Sequence, residues 1–114
     1  MVNITIASEH GLVIQDKTQV ADAISLCFGT DGLLLTEDDV GHDFFRLESG
    51  VAGDLLQKLV NYRVKTAFVC PDPGAHGQRF SELALEHSTH PHVRFFRAPQ
   101  EAVDWLRAGG GASA

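Results

Sequence analysis

The sequence predicts an α/β domain built on a single mixed sheet of about five strands, with four helices packed against it. Short apolar segments alternate with helical periodicities along the chain. One of these segments, 67–70, is continuously apolar, which is typical of a central strand buried on both faces. No linker or internal repeat divides the 114 residues, so we expect one domain over 1–108 and a flexible tail over 109–114.

The first predicted elements form a hairpin. Residues 2–6 alternate apolar and polar side chains, as expected for a strand with one buried face. Glu9, His10 and Gly11 then give a turn signal before the short apolar run 12–14. These two runs predict the first two strands of the mixed sheet.

A helix and a third strand follow. Thr18 is a candidate N-cap for a helix over 20–28, in which apolar side chains recur on one face. Gly29 ends this helix, because glycine readily adopts the left-handed conformation found at helix ends. The apolar run 33–35 predicts the third strand, and Thr36 with the acidic residues after it predicts the capped start of a short helix.

The second half of the chain alternates more regularly. Pro99 suits the start of the last helix, because the N–H group that proline lacks would have no partner within the helix there. The predicted elements are, in order, a helix over 50–61, a strand over 67–70, a loop over 71–77, a helix containing Phe80 and Leu83, a strand over 93–96, and a helix containing Ala102, Val103 and Leu106.

Composition and charge restrict the classes of partner. Nine basic residues against 15 acidic ones give a formal net charge of −6, and the basic residues are scattered, so no nucleic-acid partner is expected. No apolar run approaches the roughly 18 residues that span a bilayer. The opening residues 1–4 lack the basic segment of a leader peptide. Cys27 and Cys70 lie in apolar surroundings, which predicts two buried free thiols, a reducing compartment and a cytoplasmic protein without a membrane partner.

The segment 48–53 carries the strongest functional signal, because it places a serine and two glycines at the start of a predicted helix. Ser49 could cap that helix, or it could accept a phosphate that the free N–H groups of the first turn would hold. Gly50 and Gly53 permit either close packing of the helix or close approach of a phosphate. Further candidates for contact with a partner along this helix are Gln57, Asn61 and Arg63.

Three segments closely resemble a known bacterial family, domain-of-unknown-function family 4180. They are 33–39, 44–64 and 99–106, and the resemblance as a whole covers about 33–106. Two segments between them, 70–74 and 86–92, depart from the pattern of that family. The resemblance implies a shared fold and brings no chemistry with it.

The element order and the Ser49 turn are also similar to the STAS domains of anti-sigma factor antagonists. In those domains a partner kinase phosphorylates the serine at this position, and the complex with the kinase then dissociates. Glu48 departs from the pattern, because an aspartate is typical there. This resemblance implies a non-enzymatic regulatory domain of bacterial type that binds a protein partner around Ser49. A homodimer is also compatible with the sequence.

A small enzyme or ligand-binding protein is the alternative, and it depends on the loop after the strand 67–70. Asp72 could orient His76 as a general base, and open α/β sheets commonly bind ligands at this end of a strand. No nucleophile or oxyanion motif accompanies the pair, so no catalytic residue is predicted.

Two further clusters could in principle bind a metal ion. His87, His90 and His92 lie within six residues, but Pro91 interrupts the segment and turns the rings in different directions. Glu37 begins an acidic segment over 37–43 that lacks the spacing of a calcium loop. We therefore predict no metal site and no cofactor.

Overall fold

The computed structural model of the protein describes residues 3–112, in which the chain forms four strands and five α-helices. Three short 3-10 segments also bear on the candidate site, namely Glu37–Asp39, Leu47–Ser49 and Pro73–His76. The strands are β1 (Ile4–Ile6), β2 (Gly32–Thr36), β3 (Thr66–Val69) and β4 (Val93–Phe96), and the helices are α1 (Lys17–Leu26), α2 (His42–Phe45), α3 (Val51–Asn61), α4 (Gln78–Glu86) and α5 (Pro99–Ala112).

The strands form one sheet in the order β1-β2-β3-β4, and every pairing in the described part of the chain is parallel. The last residues of the three later strands are in register, because Thr36 pairs with Val69 and Val69 pairs with Phe96. The residues that follow these three strands therefore leave the sheet side by side at its carboxyl edge. This register positions the candidate site.

The α/β class is confirmed, but the predicted mixed sheet of about five strands is not what the structure shows. Residues 12–14 form no hairpin with β1, and Ile14 makes only an isolated parallel bridge with Val40. Between them the chain forms a 3-10 turn, Ala7–His10, and then turns at Gly11 with φ of 66°. Helices connect the successive strands, which is the connection that parallel pairing requires.

Two apolar clusters lie on opposite faces of the sheet. On one face, Phe44 of α2 and Phe80 of α4 pack against Phe68 and Phe95 of the strands. On the other face, α5 covers β2 and β3 through a cluster of Leu34, Ala67, Val69, Ala102 and Leu106. The prediction of a central strand at 67–70, buried on both faces, is confirmed.

The N-cap predicted for the first helix needs correction. Asp16 caps α1 in place of Thr18, whose own N–H donates to the Asp16 carboxylate at 2.8 Å. At the other end of the chain, α5 extends to Ala112 and so enters the segment predicted as a tail, while residues 113–114 lie outside the described part. Within residues 3–112, no helix is long and apolar enough to cross a membrane.

Candidate metal centre

Glu37, Cys70 and His76 meet at the carboxyl edge of the sheet. Glu37 directly follows β2, Cys70 directly follows β3, and His76 ends the Pro73–His76 turn. One donor atom from each side chain lies within 4.8 Å of the other two. In the described residues, no other three metal-binding side chains of this kind come as close together.

The imidazole of His76 is held in a fixed orientation. Its Nε2 lies 2.5 Å from Oε2 of Glu37, and both side chains are partly buried. One face of the ring stacks on Phe45, with the centroids 3.7 Å apart, and Phe80 packs edge-on at 5.5 Å. The ring nitrogen is therefore directed at Glu37 by aromatic contacts from α2 and α4.

A local capping arrangement positions Glu37. The chain turns sharply after β2, because the buried Asp39 carboxylate accepts hydrogen bonds from the Thr36 N–H at 2.7 Å and from the Thr36 hydroxyl at 3.1 Å. Glu37 is the first residue of this 3-10 turn, so its side chain leaves the strand end beside Cys70. The acidic segment was predicted as the capped start of a short helix, and the 3-10 turn bears this out.

Cys70 contributes a buried thiol, with 1% of the residue exposed. Burial raises its pKa to about 11, and the negative charge of Glu37 adds to that rise. A hydrogen bond from the Asp72 backbone N–H to the sulfur partly offsets this rise in the pKa of Cys70. The thiol therefore keeps its proton at neutral pH unless a cation replaces the proton.

Imidazole, thiolate and carboxylate together favour a borderline divalent ion such as zinc. Ligand atoms around a tetrahedral zinc ion lie about 3.5 Å apart. The three donors lie within 4.8 Å of one another, and Nε2 of His76 and Oε2 of Glu37, which are 2.5 Å apart, would have to separate slightly for an ion to replace their hydrogen bond. Three protein ligands would leave the fourth position open for water or another molecule.

The carboxylate that contacts His76 in the structure differs from the one paired with it by the sequence. The prediction paired His76 with Asp72, whereas the structure pairs it with Glu37, and no hydrogen bond joins Asp72 to His76 among the described residues. Asp72 is exposed, and its backbone N–H bonds to Cys70. Glu37 and Cys70 each closely follow a predicted apolar strand. This shared position was the signal in the sequence that could have placed the two side chains at the same edge of the sheet.

The hydroxyl of Ser49 connects two helices. It donates to the carbonyl of Asp43 in α2 at 2.5 Å and accepts from the Val51 N–H at the start of α3 at 3.3 Å. Gly50 follows with φ of 82°, a conformation that glycine adopts without strain. A Cβ on Gly53 would meet no described atom within 4 Å, so close packing does not require a glycine there.

The other residues predicted to contact a partner lie on an exposed stripe. Gly53, Gln57 and Asn61 recur at four-residue spacing along α3, and all three are exposed. Arg63 follows the helix in a left-handed conformation with φ of 57° and is also exposed. The role of this stripe in binding a partner stays a prediction.

The histidine cluster near β4 is engaged with the backbone. Nδ1 of His90 accepts hydrogen bonds from the N–H groups of His92 and Val93, and Nδ1 of His87 bonds to the carbonyl of Leu83. The rings of His87 and His90 stack with their centroids 5.1 Å apart. These contacts give the cluster a structural role at the entry to β4.

Comparison with known proteins identifies a family. The family described as a domain of unknown function, DUF4180, matches residues 1–106. This match confirms the resemblance found in 33–106 and extends it to the start of the chain. No curated protein and no solved structure matches the chain. The similarity to STAS domains stays a prediction.

Proposed function

We propose that this chain, which belongs to the DUF4180 family, is a small metal-binding protein that holds one zinc-class divalent ion at Glu37, Cys70 and His76. The convergence of three chemically different donors within 4.8 Å carries the proposal. Glu37 follows β2, whereas Cys70 and His76 both lie in the connection after β3. Only the tertiary fold brings them together, at the edge where parallel sheets commonly bind ligands.

The charges of the three side chains support a cation. A buried thiol beside a carboxylate is held in its neutral form, because a second negative charge there is unfavourable. A divalent ion would balance both a thiolate and the carboxylate, and it would displace the proton from the thiol. The site therefore disfavours a thiolate on Cys70 beside the carboxylate of Glu37 when no ion is bound, and it accommodates both charges when the two groups ligate a cation.

The number of ligands indicates how the ion would be used. Structural zinc sites have four protein ligands, whereas sites that bind exogenous molecules keep one position open. Glu37, Cys70 and His76 supply three ligands. The proposed ion therefore belongs to a site that binds a further ligand. This proposal develops the alternative from the sequence, a ligand-binding protein that uses the loop containing His76.

Cobalt binding provides the direct test, because Co²⁺ reports thiolate ligation through a charge-transfer absorption band. The purified chain should take up one Co²⁺ per molecule with this band, and Zn²⁺ should displace it. Cys70→Ser should abolish the band. Cys27→Ser is the matched control, because Cys27 is also buried and has a pKa raised to about 11, yet it lies outside the centre. Identical spectra for the two variants would refute the proposal.

The second candidate function is that of a STAS-like regulatory domain. In this proposal the chain is a non-enzymatic, cytoplasmic protein of bacterial type that binds a protein partner at the Ser49 turn. The bond from the Ser49 hydroxyl to the Asp43 carbonyl favours it, because phosphorylation would remove the donor of that bond. The bond ends on α2, which also carries Phe45. A phosphate on Ser49 would therefore act on the helix that orients His76.

Affinity capture from bacterial extract tests this second candidate. Wild-type protein should retain a partner that Ser49→Asp loses, and Ser25→Asp on the exposed face of α1 is the matched control. If all three proteins capture the same partner, Ser49 serves only to connect the two helices. If none captures a partner, the regulatory proposal loses its basis.

A further inference from the structure

A cavity of about 210 Å³ lies directly beside the proposed metal centre, between α4 and the ends of β3 and β4. Cys70 lines the cavity and also belongs to the centre, so the two sites share a side chain. We propose that this cavity binds a small organic carboxylate with an apolar body. The proposal rests on the metal-binding function proposed above, because the shared thiol would connect the bound carboxylate to the ion.

The walls of the cavity suit an apolar body. Ala84 and Phe95 are buried and contribute the inner surface. Leu85 lines the same cavity, and 74% of it is exposed. A ligand in the cavity would cover apolar surface that is otherwise in contact with water.

Arg97 selects for an anion. It follows β4 as Cys70 follows β3, and the Cys70 N–H donates to the carbonyl of the neighbouring Phe96 at 2.8 Å. Among the described residues that line the cavity, Arg97 is the one that carries a charge. It takes part in none of the ion pairs found in residues 3–112. Its guanidinium can therefore donate two parallel hydrogen bonds to a carboxylate.

The metal ion and the carboxylate should strengthen each other's binding. Without an ion, the negative charge of Glu37 opposes a second anion near Cys70. A bound ion would balance the charges of the Glu37 carboxylate and the Cys70 thiolate, and this repulsion would then be removed. Thermodynamic linkage requires that any gain in carboxylate affinity caused by zinc equals the gain in zinc affinity caused by the carboxylate.

Phenylacetate and its neutral analogue phenylacetamide are the probes. Each is titrated into metal-free and zinc-loaded protein, and binding is followed by nitrogen-15 NMR shifts. Phenylacetate should shift the amides around Leu85 and Phe96 and bind more tightly to the zinc-loaded form. Arg97→Gln should weaken phenylacetate about tenfold and leave phenylacetamide unchanged. Arg107→Gln, an exposed arginine on α5, is the matched control.

The two proposals fail in different ways. Zinc binding without phenylacetate shifts in the cavity would overturn the carboxylate site and leave the metal centre intact. Equal affinity for both probes, or equal effects of the two arginine variants, would also overturn the carboxylate site. Absence of zinc binding would refute the metal centre. If phenylacetate still binds in an Arg97-dependent way in that case, the anion selectivity holds and its link to a metal does not.

Discussion

The imidazole of His76 lies flat against the phenyl ring of Phe45, with the centroids 3.7 Å apart and the planes inclined by 7°. This stack joins the loop after β3 to the short helix α2. It also directs Nε2 of His76 toward Glu37. The position of a candidate metal ligand thus depends on an aromatic residue that cannot itself bind a metal.

Phe45→Leu should lower the affinity for Co²⁺ about tenfold, because the imidazole loses the surface that orients it and must be ordered when the ion binds. Competition with a chromophoric chelator measures this affinity. Phe28→Leu is the control, since Phe28 is 75% exposed and lies outside the centre. An unchanged affinity in Phe45→Leu would show that the stack is not needed for ligation.

Metal affinity should fall about tenfold for each unit of decreasing pH between about pH 8.5 and pH 7.5. Burial and the charge of Glu37 raise the pKa of Cys70 to about 11, so one proton must leave the thiol whenever an ion binds in this range. Zinc affinity measured at several pH values gives the slope. Cys27→Ser should retain the slope, and Cys70→Ser should lose the part due to the thiol. A pH-independent wild-type affinity would contradict thiolate ligation.

Acid should destabilise the fold through His90. Nδ1 of His90 accepts two backbone hydrogen bonds, which the protonated ring cannot do. Burial, together with the charges of His87, His92 and Arg94, lowers the pKa of His90. Neutral His90 therefore makes its full contribution to the free energy of unfolding above the unfolded-state pKa of about 6.5. This contribution is lost as the pH falls through the lower folded-state pKa.

Urea unfolding at several pH values measures this loss in the free energy of unfolding. His90→Asn should be less stable than wild type at pH 7 and less sensitive to acid, since asparagine can accept backbone bonds but does not titrate. His10→Asn, at an exposed position, should follow the wild-type curve. If His90→Asn retained the full acid sensitivity, another group would have to be responsible.

Asp39→Ala should lower the free energy of unfolding by about 1–2 kcal/mol, because it removes the acceptor that caps the turn after β2. The same variant should weaken metal binding, since the turn positions Glu37. Thermal unfolding and cobalt titration measure the two effects. Asp38→Ala removes a neighbouring exposed carboxylate and should change neither. Equal destabilisation by both variants would indicate a general charge effect.

The sequence predicted the local features of this protein better than its long-range ones. The apolar run 67–70 and the two buried thiols could be identified because each signal lies within a few residues. Glu37 and His76 are far apart in the chain, and only the parallel register of β2 and β3 brings their segments together. The hairpin predicted for 12–14 was wrong because an apolar run does not specify its pairing partner.

The strand order β1-β2-β3-β4 follows the order of synthesis. Each strand pairs with the one made just before it, so the sheet can grow at one edge as the chain is made. All three donors of the candidate centre lie at or before residue 76, whereas β4 and α5 come later. An ion held by these three side chains would therefore link the end of β2 to the loop after β3 without a ligand from β4 or α5.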